Sequence, residues 1–548
     1  MTKPYIFHFA IRATFILVLL VIFHPLYAQM WDLKQKLGSS DQQPADNLGI
    51  SVAVSDSFMF AGAWWEEVED IFIPDTTASG AAYIYKLQPN GIWTEIQKLV
   101  SPYREALGYF GFNVAIAGDY AMVSAFNEDH SNAFNCGRVY AYHRNANDHW
   151  VLDDSLKIAN PGNNDYFGVS IAMADDYALI GADGHGYDEA GANQLNQAGA
   201  AYLFKRQANN RWTQIRKFVA PDRASGDQFG KNVDIDEKGI VIGAFHKNGE
   251  LGFFETGAAY AIGCDATPCD FESITSADLQ KLVAPDQNSY ENFGWDVAIS
   301  GDWLVAGKGR ESDQPGGGNG SNTGTAYIFH WENGQWTGKQ KVYAPDFSAG
   351  AYFGRSIAMD GPVCVIGAGG ESETANGQNT VPGAGAAYIY ELQQNNIWMP
   401  KQKVTGTQRS INDLFGEDAV DVSGTQIAIG AWLADTLNGV YFIDGGAVYL
   451  FERDSPITAI QDLIKGNLFS IRNNPSLDGI LMFRDLYSSY ETQTEVRIYS
   501  MDGTLLLQEG KLSGHEFLID LSSLPAAIYL VQLNREGNMP QSFKWIRL

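Results

Sequence analysis

The stretches YFGVSIAMADDYALIGA (Tyr166–Ala182) and YFGRSIAMDGPVCVIGA (Tyr352–Ala368) decide the fold. Each opens on Phe-Gly, alternates apolar and polar or small residues, breaks at a short polar turn, runs apolar again and closes on Gly-Ala. Alternation over about four to eight residues marks a half-buried strand, so each stretch reads as two antiparallel strands joined by a tight turn. The same form recurs around Gly49, Gly111, Gly168, Gly230, Gly294, Gly354 and Gly416, at spacings of 57 to 64 residues. Copy two carries Ser124 where the second Gly belongs, and copy seven has one extra residue.

Working outward, every copy continues through a variable polar stretch into a third strand of the type GAAYIY, starting at Gly80, Gly137, Gly199, Gly257, Gly324, Gly385 and Gly446. A fourth usually follows, as in WTEIQKLV from Trp93, WTQIRKFVAPD from Trp212 and WTGKQKVYAPD from Trp336, while copy four keeps LQKLVAPD from Leu279 without the Trp. Four short strands per copy in seven copies predict an all-β fold, a seven-bladed β-propeller of four-stranded blades. Copy seven stops after its third strand, and an orphan strand, Trp31–Leu37, precedes copy one. The N-terminal strand is therefore expected to complete the last blade and close the ring, removing an open sheet edge.

At these residues, from about Trp31 to Arg453, the chain resembles the FG-GAP repeat family, which includes the integrin alpha-subunit propeller. The resemblance implies a propeller that binds extracellular partners. Integrin-like copies often hold calcium in an Asp- and Gly-rich loop between strands one and two. Here that place holds only short turns such as Ala117-Gly118-Asp119-Tyr120 and Ser300-Gly301-Asp302-Trp303. One or two carboxylates do not supply the six or more oxygens that calcium takes, so neither a metal nor another cofactor is expected.

Composition agrees with export. Of 548 residues, 45% are apolar and 13% aromatic, too many for a disordered chain, and the formal charge of −27 excludes broad attraction to nucleic acid or anionic lipid. Residues 1–28 combine Lys3 and Arg12 with an apolar run, Ala13–Phe23, and end on Leu26-Tyr27-Ala28. That run falls short of the ~20 residues that span a bilayer, so it reads as a secretory signal peptide cleaved between Ala28 and Gln29, and no transmembrane segment is expected in the mature chain. Export permits disulfides. Cys264 and Cys269 flank the turn-like Asp265-Ala266-Thr267-Pro268 and are candidates to bridge across it, whereas Cys364, inside Val363-Cys364-Val365-Ile366, reads as a buried thiol.

The propeller is expected over 29–453, with a linker over 454–466. Residues 467–548 read as a small β-sandwich-like domain, and they resemble the C-terminal sorting domain of the type IX secretion system of Bacteroidetes-type bacteria. Asn474-Pro475, the Asp502-Gly503 turn and Leu524–Val531 with Tyr529 carry that resemblance. Arg472-Asn473 in place of an aromatic-Pro start, and Ala527 in place of Gly, depart from it. It implies passage by the type IX machinery to the medium or the outer cell surface, with removal of the tail.

No nucleophile elbow, HExxH helix, phosphate-cradling or dinucleotide Gly motif is present, and Gly316-Gly317-Gly318-Asn319-Gly320 lacks the strand and helix a phosphate site needs. His130, His185 and His246 occupy the same variable loop of copies two to four, with Asp129, Asp183 and Asp188 nearby in sequence. Sequence leaves open whether adjacent blades gather them at a metal or catalytic centre, or leave them as independent surface histidines. The loops joining strands two and three emerge on the same face as those joining blades, and they are the long ones. Long loops on a rigid ring are where binding usually resides. Trp64, Trp65, Phe72, Tyr187, Phe253, Phe254, Trp432, Tyr441 and Phe442 lie in them. Such aromatics either stack on sugars and anchor proteins, or pack beneath their own loops. Three functions remain: adhesion to extracellular protein or glycan through this face, polysaccharide hydrolysis or lysis there, and a structural role in a surface layer.

Overall fold

The repeated alternation becomes seven four-stranded antiparallel sheets in the computed structural model. It describes residues 30–453 apart from 68–77, 250–251, 313–321, 347, 376, 378–379, 438–439 and 442, and seven strands beyond residue 468. Blade 1 comprises Leu48–Val54, Phe58–Ala63, Ala81–Leu87 and Trp93–Val100 in that spatial order. The inner strands of the next six are Phe110–Ala117, Ile171–Ala174, Val233–Asp236, Phe293–Ser300, Ile357–Asp360 and Val420–Ser423. Blade 7 ends on the N-terminal strand: Trp31–Leu37 pairs outside Ala447–Arg453, closing the ring as expected.

Steric crowding explains the Gly positions. Gly62 lies so close to the next blade that a Cβ there would stand 1.7 Å from the Gly111 carbonyl oxygen. Gly111 itself has φ +88°, a left-handed conformation that side chains resist. The Phe before this second glycine bridges in parallel to the Gly that opens strand three of the preceding blade, as in Gly80 with Phe110 and Gly324 with Phe353. Its buried ring packs against the Tyr of its own strand three, with centroids 5.5 Å apart for Phe110 and Tyr140 and likewise for Phe353 and Tyr388. Each such aromatic contributes about 1.5–3 kcal/mol by leaving water.

Two further links hold neighbouring blades in register. On the outside, the Gln of the outer strand clasps the backbone of the Trp that starts the next outer strand. Gln97 donates to Trp150 O at 2.9 Å and accepts from Trp150 N at 2.9 Å, and Gln35 does the same with Trp93 across the closure point. On the loop face, the Tyr of strand three and the Lys of strand four meet the Asp that follows the outer strand of the preceding blade, in a repeated network. Tyr83 and Lys98 meet Asp41, each at 2.7 Å, while Tyr388 and Lys403 meet Asp346, each at 2.7 Å. In blade 5, Lys308 is completely buried between Glu291 and Glu311.

Cys264 and Cys269 are joined by a disulfide, and Cys364 is buried with its thiol pushed up by burial. Cys136 is also buried, its thiol raised to about 11 chiefly by burial. The carboxy-terminal strands form a second unit with two antiparallel sheets, one of three strands and one of four. Tyr529 lies in its strand Ile528–Arg535. Ala28, Gln29, the linker, Asn474, Pro475, Asp502 and Gly503 lie outside the described residues. Among those described, no helix is long and apolar enough to cross a membrane.

Candidate functional site

The seven inner strands enclose an axial channel of about 860 Å³. At its loop-face mouth two positions of each blade meet, fixed by backbone register. One follows the Phe-Gly step, which is Leu48-Gly49 in blade 1: Ile50, Phe112, Val169, Lys231, Trp295, Arg355 or Glu417. The other follows the Gly-Ala that ends strand two: Trp64, Phe126, Asp183, Phe245, Gly309, Gly369 or Trp432. Blade 2 carries Ser124 and Ala125, and blade 5 carries Gly307 and Lys308, in place of that Gly-Ala pair. Identical backbone geometry thus displays different chemistry around the rim.

These side chains join into a collar. From blade 3 round to blade 7, ring centroids lie 5.9 Å apart for Tyr166 and Phe126, 4.2 Å for Phe126 and Phe112, 5.6 Å for Phe112 and Trp64, and 6.4 Å for Trp64 and Trp432. Trp65 stacks on Tyr109 at 5.6 Å beside them. The chain of contacts then turns polar. Trp432 Nε1 donates to Asp418 at 3.1 Å, and Arg355 approaches Asp418 at 4.0 Å, pairs with Glu417 and lies over the Trp295 ring at 4.7 Å. Trp295 meets Phe245 at 4.7 Å, and Phe245 meets His246 at 3.9 Å. Small residues make room here: a Cβ on Gly309 would stand 2.7 Å from Arg355 Cγ, and one on Gly369 would stand 2.3 Å from Glu417 Cβ.

Electrostatics follow from this crowding. Burial pushes Glu417 up to about 7, with Asp418 adding to the rise and Arg355 opposing it. Asp183 is also raised by burial, although Lys231 stands 3.7 Å from it. Asp418 keeps an exposed edge, yet the surrounding collar raises its carboxyl, against the pull of Arg355 and then Lys231. Deeper in the channel, Asp296 and Asp421 rise to about 7 and Asp234 to about 8, mainly by burial. Each accepts a backbone N–H from the next inner strand, as in Ile357 N to Asp296 at 2.6 Å and Val54 N to Asp421 at 2.6 Å. They are rivets between blades.

The structure brings Trp64, Trp65 and Trp432 together at the mouth but separates the three histidines. His130 Nε2 meets Gly137 O at 3.0 Å, His185 lies between Asp165 and Lys217 at 3.0 Å from each, and His246 packs on Phe245 with Glu255 at 3.8 Å. The reason is register: they stand six, four and three residues after Ser124, Gly181 and Gly243, and so leave the loop base in different directions. Among the described residues no group of three or more His, Cys, Asp or Glu is arranged to hold a metal ion. Tyr187 sits against His185, with centroids 5.8 Å apart, while Phe253 and Phe254 are exposed on the blade 4 loop. Tyr441 belongs to the two-stranded ribbon of Thr436–Leu437 with Val440–Tyr441, and Phe72 and Phe442 lie outside the described residues. Sequence reasoning did not single out Phe112, Lys231, Trp295, Arg355 or Glu417. Their signal was the residue after each Phe-Gly step, which varies while its neighbours repeat.

Comparison with known proteins bears on the frame and not on the collar. No curated protein matches the chain. Among solved structures, the N-terminal domain of Nup159 is similar at 11% identity and a TM-score of 0.36, covering 77% of this chain and 95% of that one. The FG-GAP repeat model matches residues 31–85, 93–142, 150–204, 212–262, 277–329 and 336–390. Each match begins within three residues of the start of an outer strand and ends in the third strand of the following blade, the same offset that lets Trp31–Leu37 close the ring. Six registered matches over more than half its length show that the chain belongs to the FG-GAP repeat family.

Proposed function

We propose that this protein is a non-enzymatic, exported binding protein, secreted or held at the outer cell surface, that adheres to an extracellular protein or glycan through its long-loop face. The observation that carries this reading is the collar: tryptophans and cations from separate blades, half-buried around one opening on a rigid ring. Recognition sites concentrate Trp, Tyr and Arg in this way, because large preorganised side chains lose little entropy on binding. Export rests on the 1–28 leader and the 467–548 tail, whose sequence resembles a type IX sorting domain.

The test is binding of the purified full chain to arrays of glycans and extracellular-matrix proteins, with and without a chelator. Binding that resists chelation and falls in Trp64→Ala and Trp432→Ala variants is expected. Binding that needs a divalent cation, or none to either array, would overturn the proposal.

A further inference from the structure

Resting on that reading, we infer that the collar is a subsite for an uncharged glycan, which stacks a sugar face on the Trp64 and Trp432 wall while its hydroxyls reach the polar arc of Lys231, Asp418 and Arg355. Three observations narrow the ligand class.

First, the mouth offers hydrogen-bond donors and acceptors together. Lys231, Arg355, Asn113, Asn232 and Asp418 line the channel beside Trp64 and Trp432. A sugar hydroxyl both donates and accepts, and a run of hydroxyls on one ring can serve donors and an acceptor at once.

Second, charge disfavours an acidic glycan. The chain carries −27, and Asp175 and Asp360 line the channel below the mouth. Lys231 and Arg355, the cations that line the channel, already face carboxylates, at 3.7 Å in Asp183 and in an ion pair with Glu417. No uncompensated cation of the lining awaits an anion, and a polyanion would meet long-range repulsion.

Third, the aromatic surface is recessed. Trp64, Trp432, Phe112 and Trp295 are half-buried at the channel mouth, whereas the large exposed apolar side chains, such as Phe134 and Ile411, stand elsewhere on the loops at 64% and 67% exposure. A slender sugar chain reaches the first set, and a broad protein surface meets the second. Aromatic side chains offer an apolar face to the C–H side of a sugar, with Trp also offering an N–H donor.

Titration calorimetry and tryptophan fluorescence of the full chain would use cello-, xylo-, manno- and galacto-oligosaccharides as neutral probes, with polygalacturonate and heparin as acidic ones and matrix proteins as a third arm. The inference expects a neutral oligosaccharide to bind and to shift tryptophan emission. Affinity should fall about tenfold or more in Trp432→Ala and clearly in Arg355→Gln, with Phe134→Ser and Ile411→Ser unaffected. Thermal melts of each variant separate lost binding from lost folding, and Arg355→Gln keeps the test alive if the tryptophan variant fails to fold. Binding only to matrix protein, lost in Phe134→Ser or Ile411→Ser, would overturn the sugar subsite while leaving adhesion through the loop face intact. Preference for the acidic probes would overturn the uncharged class, and no binding in any arm would overturn both.

Discussion

The loop face contains two concentric layers that obey opposite rules. In the outer layer, Tyr83 and Lys98 on Asp41 reappear as Tyr388 and Lys403 on Asp346, and as Lys341 on Asp286 with Tyr327 beside it. In the inner layer, a few residues away in sequence, the position after Phe-Gly is Ile50, Phe112, Val169, Lys231, Trp295, Arg355 and Glu417. A group that joins blade to blade must match the same neighbour at each seam, so it repeats. A group that faces the axial mouth touches no fixed partner of the frame, so it is free to differ. The frame therefore carries the fold and the collar carries the individuality of this protein.

The sharpest way to break this contrast is to put a side chain into the frame. Gly62→Val should abolish folding, at a cost of at least about 3 kcal/mol, because even a Cβ would stand 1.7 Å from Gly111 O. Soluble yield and circular dichroism report it, and a well-folded variant would refute the steric account. Next is Lys308→Met, which removes the cation that Glu291 and Glu311 share and leaves Lys341, 3.5 Å away, beside Glu311. A loss of about 3–5 kcal/mol is expected from breaking such a buried pair, read from denaturant melts of the full chain.

The channel rivets sharpen the comparison with an effect of opposite sign. Asp296 titrates near 7 in the folded protein, well above an unfolded Asp. The folded state thus holds its proton more tightly, so stability from this group is greatest below about pH 4 and declines as pH rises from there through 7. Asn113 occupies the equivalent site in blade 2 and accepts the Ile171 N–H at 3.1 Å. Asp296→Asn should therefore fold and gain on the order of 1 kcal/mol at pH 8, since its edge on the channel moderates the penalty, with no gain at pH 4. Equal melting temperatures of the two proteins at pH 8 would contradict the raised carboxyl. The smallest effect belongs to the collar: Phe112→Ile, which copies Ile50 of blade 1 into blade 2, should change stability by less than about 1 kcal/mol. A larger loss would show that the mouth is part of the frame.

Much of the frame was legible because its causes are local and repeated. Phe-Gly and Gly-Ala fix close approaches, alternation fixes faces, and the orphan Trp31–Leu37 announced ring closure. The Gln clasp was present in the sequence as Gln35, Gln97 and Gln340, but without the pairing its partner, a backbone group one blade away, could not be identified. Shared loop membership left open whether His130, His185 and His246 gather, and a shift of a few residues within the loop sends each into a different network.

Sequence by itself determined the number of blades, their strand order, the closure of the ring and the face that bears the long loops, since these depend on period and sterics that every copy restates. Only the tertiary structure decided which side chains meet at the axis. Trp64 and Trp432 lie 368 residues apart in the chain and 6.4 Å apart across the closure point. A collar drawn from every blade has no local signature, because its contacts exist only when the ring has closed.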